Sequence, residues 1–384
     1  MARIVCAYGT RPEQIKLRPV IDALTDHGLA VVHWWSGQSR NLVGGNLPTD
    51  YHPISWADLH TGIAGVLREF PKILAEVQPD AVLVQGDTAT AFAVALASFL
   101  ARVPIGHVEA GLRTYGSEPW PEEAFRRAIA PMAKWHFCPD DDARKNVMAE
   151  STRLIANSSA NAVVVGNTVI DTLPIQPFRV LVTLHRRENQ GRRILGALWE
   201  LDQIAESDVQ VDVIRHPNLS AWWTDETPPE VVFSHLRWLD PMDHSELIQR
   251  LGQSEWAAVV TDSGGLQEEA AHFGIPCLVF RTSTERVALV WNGAVKLSPP
   301  DDPRQLRAWL DNLYRQRRTY GDGSAGSQIA RILKEELCPR SDPTPPIQTS
   351  SPEPSLKTLS WDDFQLHATP TVVMDTEILG ASPT

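Results

Sequence analysis

Trp256-Ala-Ala-Val-Val-Thr261-Asp262-Ser263-Gly264-Gly265-Leu266-Gln-Glu-Glu269-Ala270 runs from an apolar strand, through two glycines, into a helical pattern. A short apolar run followed so closely by a helix is the repeating unit of a parallel sheet covered on both faces. The same rhythm extends outward. Strands are predicted at Arg179–Thr183, Val209–Ile214, Trp256–Thr261 and Cys277–Phe280, with helices near Arg192–Ile204, His244–Leu251 and Leu266–Phe273. An earlier series has strands at Ile4–Tyr8, Ala30–Trp35, Ala81–Gln85, Pro104–Glu109, Trp135–Cys138 and Val163–Val165, with helices at Glu13–Leu24, Gly65–Glu76 and Thr88–Leu100. Two such series imply an α/β chain with two Rossmann-like domains joined near Thr168–Phe178. The expected limits are 1–170 for the first domain and 171–325 for the second. A C-terminal helix at 326–338 is expected to pack back on the first.

A length of 384 residues suits two domains, and 43% hydrophobic residues can fill both cores. The net charge of −12 disfavours general binding to nucleic acid or anionic membranes. An anionic ligand therefore needs locally gathered Arg and Lys. Cys6, Cys138, Cys277 and Cys338 are scattered, which argues against a disulfide framework or a zinc site. Without a signal peptide pattern or a membrane-length apolar run, a cytosolic location is expected. Residues 339–384 hold eight prolines and six acidic against two basic residues, the composition of a disordered tail. Within it, Leu359–Leu366 reads either as solvated chain or as a docking motif for a protein partner.

Ligands of open α/β sheets bind beyond the carboxyl ends of the strands. The first strand runs into Gly9-Thr10-Arg11-Pro12-Glu13-Gln14-Ile15-Lys16, where Pro12 suits the first helical position and Arg11 and Lys16 flank a helix N-terminus. They are either anion contacts or plain surface cations. Asp87 follows the third strand and reads as an acid–base group or as the N-cap of the next helix. Glu109 ends the following strand, with Arg113 expected one helical turn on. Glu122, Glu123, Arg126 and Arg127 come next. Acids converging on one sheet edge in different environments can act as proton donor and acceptor.

In the second half, His185-Arg186-Arg187 ends a strand and suits a pyrophosphate. Ser263-Gly264-Gly265 lets backbone N–H groups approach phosphate, and Glu269 lies one turn into the helix, within reach of ribose hydroxyls. Arg281 and Arg286 add positive charge after the next strand.

Taken together, GTRPEQIK (9–16), QGDTAT (85–90), PIGHVEAGLRT (104–114), PWPEEAFR (119–126), VGNTVID (165–171), LVTLHRREN (181–189), TDSGGLQEEA (261–270), TERV (284–287) and YGDG (320–323) resemble the non-hydrolysing UDP-N-acetylglucosamine 2-epimerase family. The segments occur in family order and span nearly all of residues 1–337. The resemblance implies a GT-B-like pair of domains with the active site in the interdomain cleft, a UDP-sugar substrate, no cofactor or metal, and a homodimer. It implies elimination of UDP to a 2-acetamidoglucal and re-addition with C2 inverted. Matched motif to motif, Asp87, Glu109, Glu122 and His185 become catalytic candidates. Arg11, Lys16, Arg126, Arg186, Arg281 and Arg286 become contacts to phosphate or active-site charge, Ser263, Gly264 and Gly265 bind phosphate, and Glu269 binds ribose.

The chain departs from the family pattern in several places. Ser39 stands for the usual His of Thr-Gly-Gln-His, the stretch between Ser39 and Trp56 is short, and Phe125 replaces an Asn. Thr282 stands for an Asp, and Val287-Ala288 replaces Pro-Glu. A hydrolysing epimerase, a glycosyltransferase of the same architecture and a UDP-sugar-binding protein without turnover are the competing readings.

Overall fold

The computed structural model describes residues 1–39, 54–154, 161–174, 177–205, 208–216 and 228–339. The tail, with Leu359–Leu366, lies outside the described residues, as does most of the short stretch after Ser39. The first half contains β1 (Arg3–Tyr8), α1 (Arg11–Asp26), β2 (Ala30–Trp35), α2 (Leu59–Val77), β3 (Ala81–Gln85), α3 (Ala89–Leu100), β4 (Ile105–Val108), α4 (Glu122–Ile129), β5 (Trp135–Cys138), α5 (Asp141–Leu154) and β6 (Asn161–Val164). The second contains β7 (Phe178–Thr183), α6 (Arg192–Ala205), β8 (Val209–Ile214), α7 (Pro229–Val232), β9 (Arg237–Leu239), α8 (His244–Gly252), β10 (Ala258–Thr261), α9 (Gly264–His272), β11 (Cys277–Val279), α10 (Val287–Trp291) and β12 (Val295–Leu297). Then come α11 (Arg304–Arg317) and α12 (Ala325–Leu337).

The strands form two six-stranded sheets, ordered β2-β1-β3-β4-β5-β6 and β12-β11-β10-β7-β8-β9, and every pairing is parallel. Each order reverses once, between β1 and β3 in the first sheet and between β7 and β10 in the second. At such a switch point the flanking loops part toward opposite faces and leave a crevice for a ligand.

Alternation along each central strand feeds two cores. Ile4, Cys6 and Tyr8 of β1 pack with Leu17, Val20 and Leu24 of α1. Val5 and Ala7 pack on the other face with Phe70 of α2 and Val94 of α3. In the second sheet Val180 and Val182 meet α6 and α11, whereas Leu181 meets Leu266 and Ala270 of α9. Each fully buried Leu or Val contributes roughly 1.5–3 kcal/mol of apolar transfer.

After the second sheet the chain returns to the first. Ala325, Ile329, Ala330 and Leu333 of α12 belong to the core that holds β1 and α1. Gly326 permits the contact, because a Cβ there would lie 2.7 Å from the carbonyl carbon and oxygen of Pro19. Asp171 receives the first turn of α12, accepting from Ala325 N at 3.2 Å and Gly326 N at 2.7 Å. The outgoing and returning passages touch. Asn167 N donates to Tyr320 O at 2.6 Å, and a Cβ on Gly166 would come within 2.8 Å of Gly321 Cα.

Candidate active site

At the first switch point, α1 starts at Arg11, so Pro12 occupies its second position rather than the first. Arg11 is exposed there. One turn further, Lys16 Nζ donates to both oxygens of Glu109, at 2.8 and 2.7 Å. Glu109 follows β4 directly and has φ +65°, a left-handed conformation costing about 1 kcal/mol or more for a residue with a side chain. Its carboxylate also accepts from Gln85 Nε2 and, at 2.7 Å, from Asn167 Nδ2. Four donated hydrogen bonds thus fix a carboxylate that the backbone alone would place with difficulty.

Asp87 follows β3 by two residues. The N-cap of α3 is Thr88, whose Oγ1 accepts from Ala91 N at 3.0 Å. The capping role open to Asp87 from the sequence is therefore filled by its neighbour. The Asp87 carboxylate instead meets the Arg126 guanidinium, and Arg126 also lies 3.3 Å from Glu123. Below Asp87, His107 Nε2 lies 2.7 Å from Gly86 O. A carbonyl only accepts, so the ring carries its proton on Nε2. Burial lowers the pKa of His107 to about 4, keeping the ring neutral.

The helix bearing the Glu-Glu pair is α4. Glu123 is buried, accepts from Arg127 Nε at 2.9 Å and from Thr114 N at 3.2 Å, and is held below the usual carboxylate range by Arg127, Thr114 and Arg126 against the cost of burial. Glu122 is half-buried on the same first turn. Phe125, beside them, stacks flat on Phe92 of α3 at 4.9 Å. Residues after Glu109 form turns rather than the expected helical turn. Arg113 forks onto Glu150 at 3.0 and 2.6 Å.

At the second switch point Asp262 is fully buried and organises the β7 turn. It accepts from His185 N at 3.0 and 3.1 Å, from Arg186 N at 2.9 Å and from Asn189 Nδ2 at 3.1 Å. The His185 ring stacks on His216 at 4.4 Å. Ser263 sits at the N-cap of α9, its N–H directed to Thr261 Oγ1 at 2.9 Å. Where Gly264 lacks a side chain, the Arg286 guanidinium occupies the space, since a Cβ would lie 2.7 Å from Arg286 Nη1. A helix N-terminus, Gly265 and a guanidinium together make an anion-binding corner.

The other basic candidates are partly satisfied by local acids. Arg286 pairs with Glu268 at 2.6 Å and with Glu285, Arg281 with Glu285 at 3.1 Å, and Arg186 with Glu188 at 3.1 Å. Glu269 accepts from His244 Nε2 at 2.8 Å. Such partly exposed pairs are weak and exchangeable for a phosphate.

The first switch point thus gathers Lys16, Asp87, Glu109 and Arg126, with Glu13, Gln85 and Asn167, which the sequence reading left without a role. The second gathers His185, Ser263, Gly264 and Arg286. Carboxylates held by cations at one switch point, and a helix N-terminus beside a guanidinium at the other, lie at the strand ends of a doubly wound α/β protein. The sequence model described as UDP-N-acetylglucosamine 2-epimerase matches residues 54–334. The UDP-N-acetylglucosamine 2-epimerase of Neisseria meningitidis serogroup A is 32% identical over 383 residues, covering 86% of this chain and 99% of that protein. The Escherichia coli K12 enzyme of the same name is 32% identical over 379 residues, covering 86% and 98%. A crystal structure of the Neisseria meningitidis enzyme bound to UDP-GlcNAc is 27% identical, covers 87% of this chain and all of that one, and has a TM-score of 0.45. The chain belongs to the UDP-N-acetylglucosamine 2-epimerase family.

Proposed function

We propose that this enzyme interconverts UDP-GlcNAc and UDP-ManNAc without net hydrolysis. A carboxylate of the first switch point takes the C2 proton while the C1–O bond breaks and UDP departs with its electron pair, leaving a C1=C2 double bond. Protonation of C2 on the opposite face and return of UDP to C1 complete the inversion. The C2 proton is not acidic, so the step needs both a positioned base and stabilisation of the charge leaving with UDP.

Asp87, Glu109 and Glu122 form the acid–base set, with Asp87 held by Arg126 and Glu109 by Lys16, and His185 supports the diphosphate side. Ser263, Gly264, Gly265, Arg286, Arg281, Arg186 and Arg11 hold the diphosphate, and Glu269 holds ribose. The observation that carries this reading is the four-bond seat of Glu109, fixed at a switch point beside the Asp87–Arg126 pair. The resemblance to the family extends the proposal to a cytosolic homodimer.

The test is incubation with UDP-GlcNAc in deuterated water, followed by NMR. A mixture of two UDP-sugars carrying deuterium at C2 is expected. Free N-acetylmannosamine would indicate hydrolysis, and conversion without deuterium would remove the proton-abstraction step.

A further inference from the structure

Glu13 takes no part in the chemistry proposed above, yet it is only 1% exposed. Its Oε2 accepts from Gly9 N at 3.0 Å and Thr10 N at 2.8 Å. Its Oε1 accepts from Thr88 Oγ1 at 2.7 Å. A capping-box glutamate at the third position of a helix needs only the first kind of contact and can stay in water. Here the second oxygen reaches 75 residues along the chain, from the turn after β1 to the turn after β3.

Thr88 serves both sides of this link. Its hydroxyl accepts from Ala91 N and donates to Glu13, as a hydroxyl can. Asp87 immediately precedes it, and the carbonyl before Asp87 is held by His107. Lys16, which grips Glu109, lies three residues after Glu13 on the same helix. Burial also carries a cost that a simple cap avoids, raising the Glu13 pKa to about 7 in spite of its donors.

From this geometry we infer that Glu13 is a positioning residue: it clamps the turns on either side of the switch point and so sets Asp87 and Arg126 relative to Lys16 and Glu109. The role rests on the function proposed above but is not the same claim. Gln at this position is isosteric and can keep the clamp, accepting from the backbone amides and donating to Thr88. Ala cannot. Thr88→Gly removes the hydroxyl at little cost to the helix cap.

The experiment measures kcat and KM for UDP-GlcNAc, Kd for UDP and the melting temperature of the full-length wild type, Glu13→Ala, Glu13→Gln and Thr88→Gly. The clamp predicts that kcat falls at least about tenfold in Glu13→Ala and Thr88→Gly, with KM and Kd within about threefold, while Glu13→Gln keeps kcat within about threefold. Folded Ala and Gly variants with kcat within about twofold of wild type would overturn it. So would a Gln variant as slow as Ala, because the charge and not the link would then matter. If Ala fails to fold, Thr88→Gly decides alone by the same limits. If the wild type does not turn over UDP-GlcNAc, the functional reading falls and crystal structures decide the clamp. An Asp87 carboxylate displaced in Thr88→Gly upholds it, and an unmoved one overturns it.

Discussion

Asn167 Nδ2 donates to Glu109 Oε1 at 2.7 Å, while the backbone N–H of the same residue donates to Tyr320 O at 2.6 Å. One asparagine therefore joins the place where the chain leaves and re-enters the first half to a carboxylate of the candidate site. Removing its side chain frees one of the donors that hold Glu109 in its left-handed conformation. Asn167→Ala is expected to lower kcat about tenfold with less than a threefold change in Kd for UDP, measured by steady-state kinetics and calorimetry.

Asp87→Asn should retain the fold, because Thr88 and not Asp87 caps α3. The amide cannot accept a proton, and it leaves Arg126 with Glu123 as its ionic partner. Turnover is expected to fall by 10²-fold or more, roughly the worth of a general acid–base group. UDP affinity and melting temperature should stay near wild type. Undiminished turnover would take Asp87 out of the chemistry.

The pH dependence of stability follows from buried groups. Burial lowers His107 to about 4 and, with the neighbouring charge of His107 and Arg113 as lesser causes, His136 to about 3, from an ordinary 6.5. Below pH 6.5 the unfolded chain gains protons that the fold refuses, so each histidine costs stability as pH falls. The slope is about 1.4 kcal/mol per pH unit for each. Glu13 works in the opposite sense, since the fold holds a proton up to about pH 7 that the unfolded chain loses above 4.5. Between about pH 5 and 6 the three sum to a loss of about 1.4 kcal/mol per unit on acidification. Glu13→Gln removes the opposing contribution, and the slope should roughly double in urea titrations across that window.

Gly326→Ala drives a methyl group to 2.7 Å from the Pro19 carbonyl. Neither backbone can yield without parting α12 from α1. A destabilisation of about 1–3 kcal/mol is expected by chemical denaturation. Activity per folded molecule at low temperature should be largely kept, since Gly326 lies in the helix contact and not at either switch point.

The central strands were legible because strands buried on both faces read as continuous apolar runs, as Ala81–Gln85 and Trp256–Thr261 do. The edge strands Arg237–Leu239 and Val295–Leu297 were not. They are three residues long and carry Arg237 and Lys296 in exposed positions. The charged helix Arg304–Arg317 hid for a related reason, as only Leu306 and Leu310 of it are fully buried.

Asp87, Glu109 and Ser263 could be found because parallel sheets gather function at strand ends. Which of two adjacent glutamates meets Arg126 could not. Successive helical residues point about 100° apart, and only packing selects Glu123 for that contact. The roles of Glu13 and Asn167 depend on partners 75 and 58 residues away, a relation that spacing along the chain does not encode.

Gly166 and Gly321, at φ +90° and +116°, lie against each other where the chain crosses twice between the halves. The two crossings form a seam that admits no side chain: a methyl on Gly166 would lie 2.8 Å from Gly321 Cα, and one on Gly321 would lie 3.1 Å from Gly166 Cα. Because Asn167 sits next to this seam and holds Glu109, a substitution that parts the two crossings would disturb the carboxylate through a single hydrogen bond.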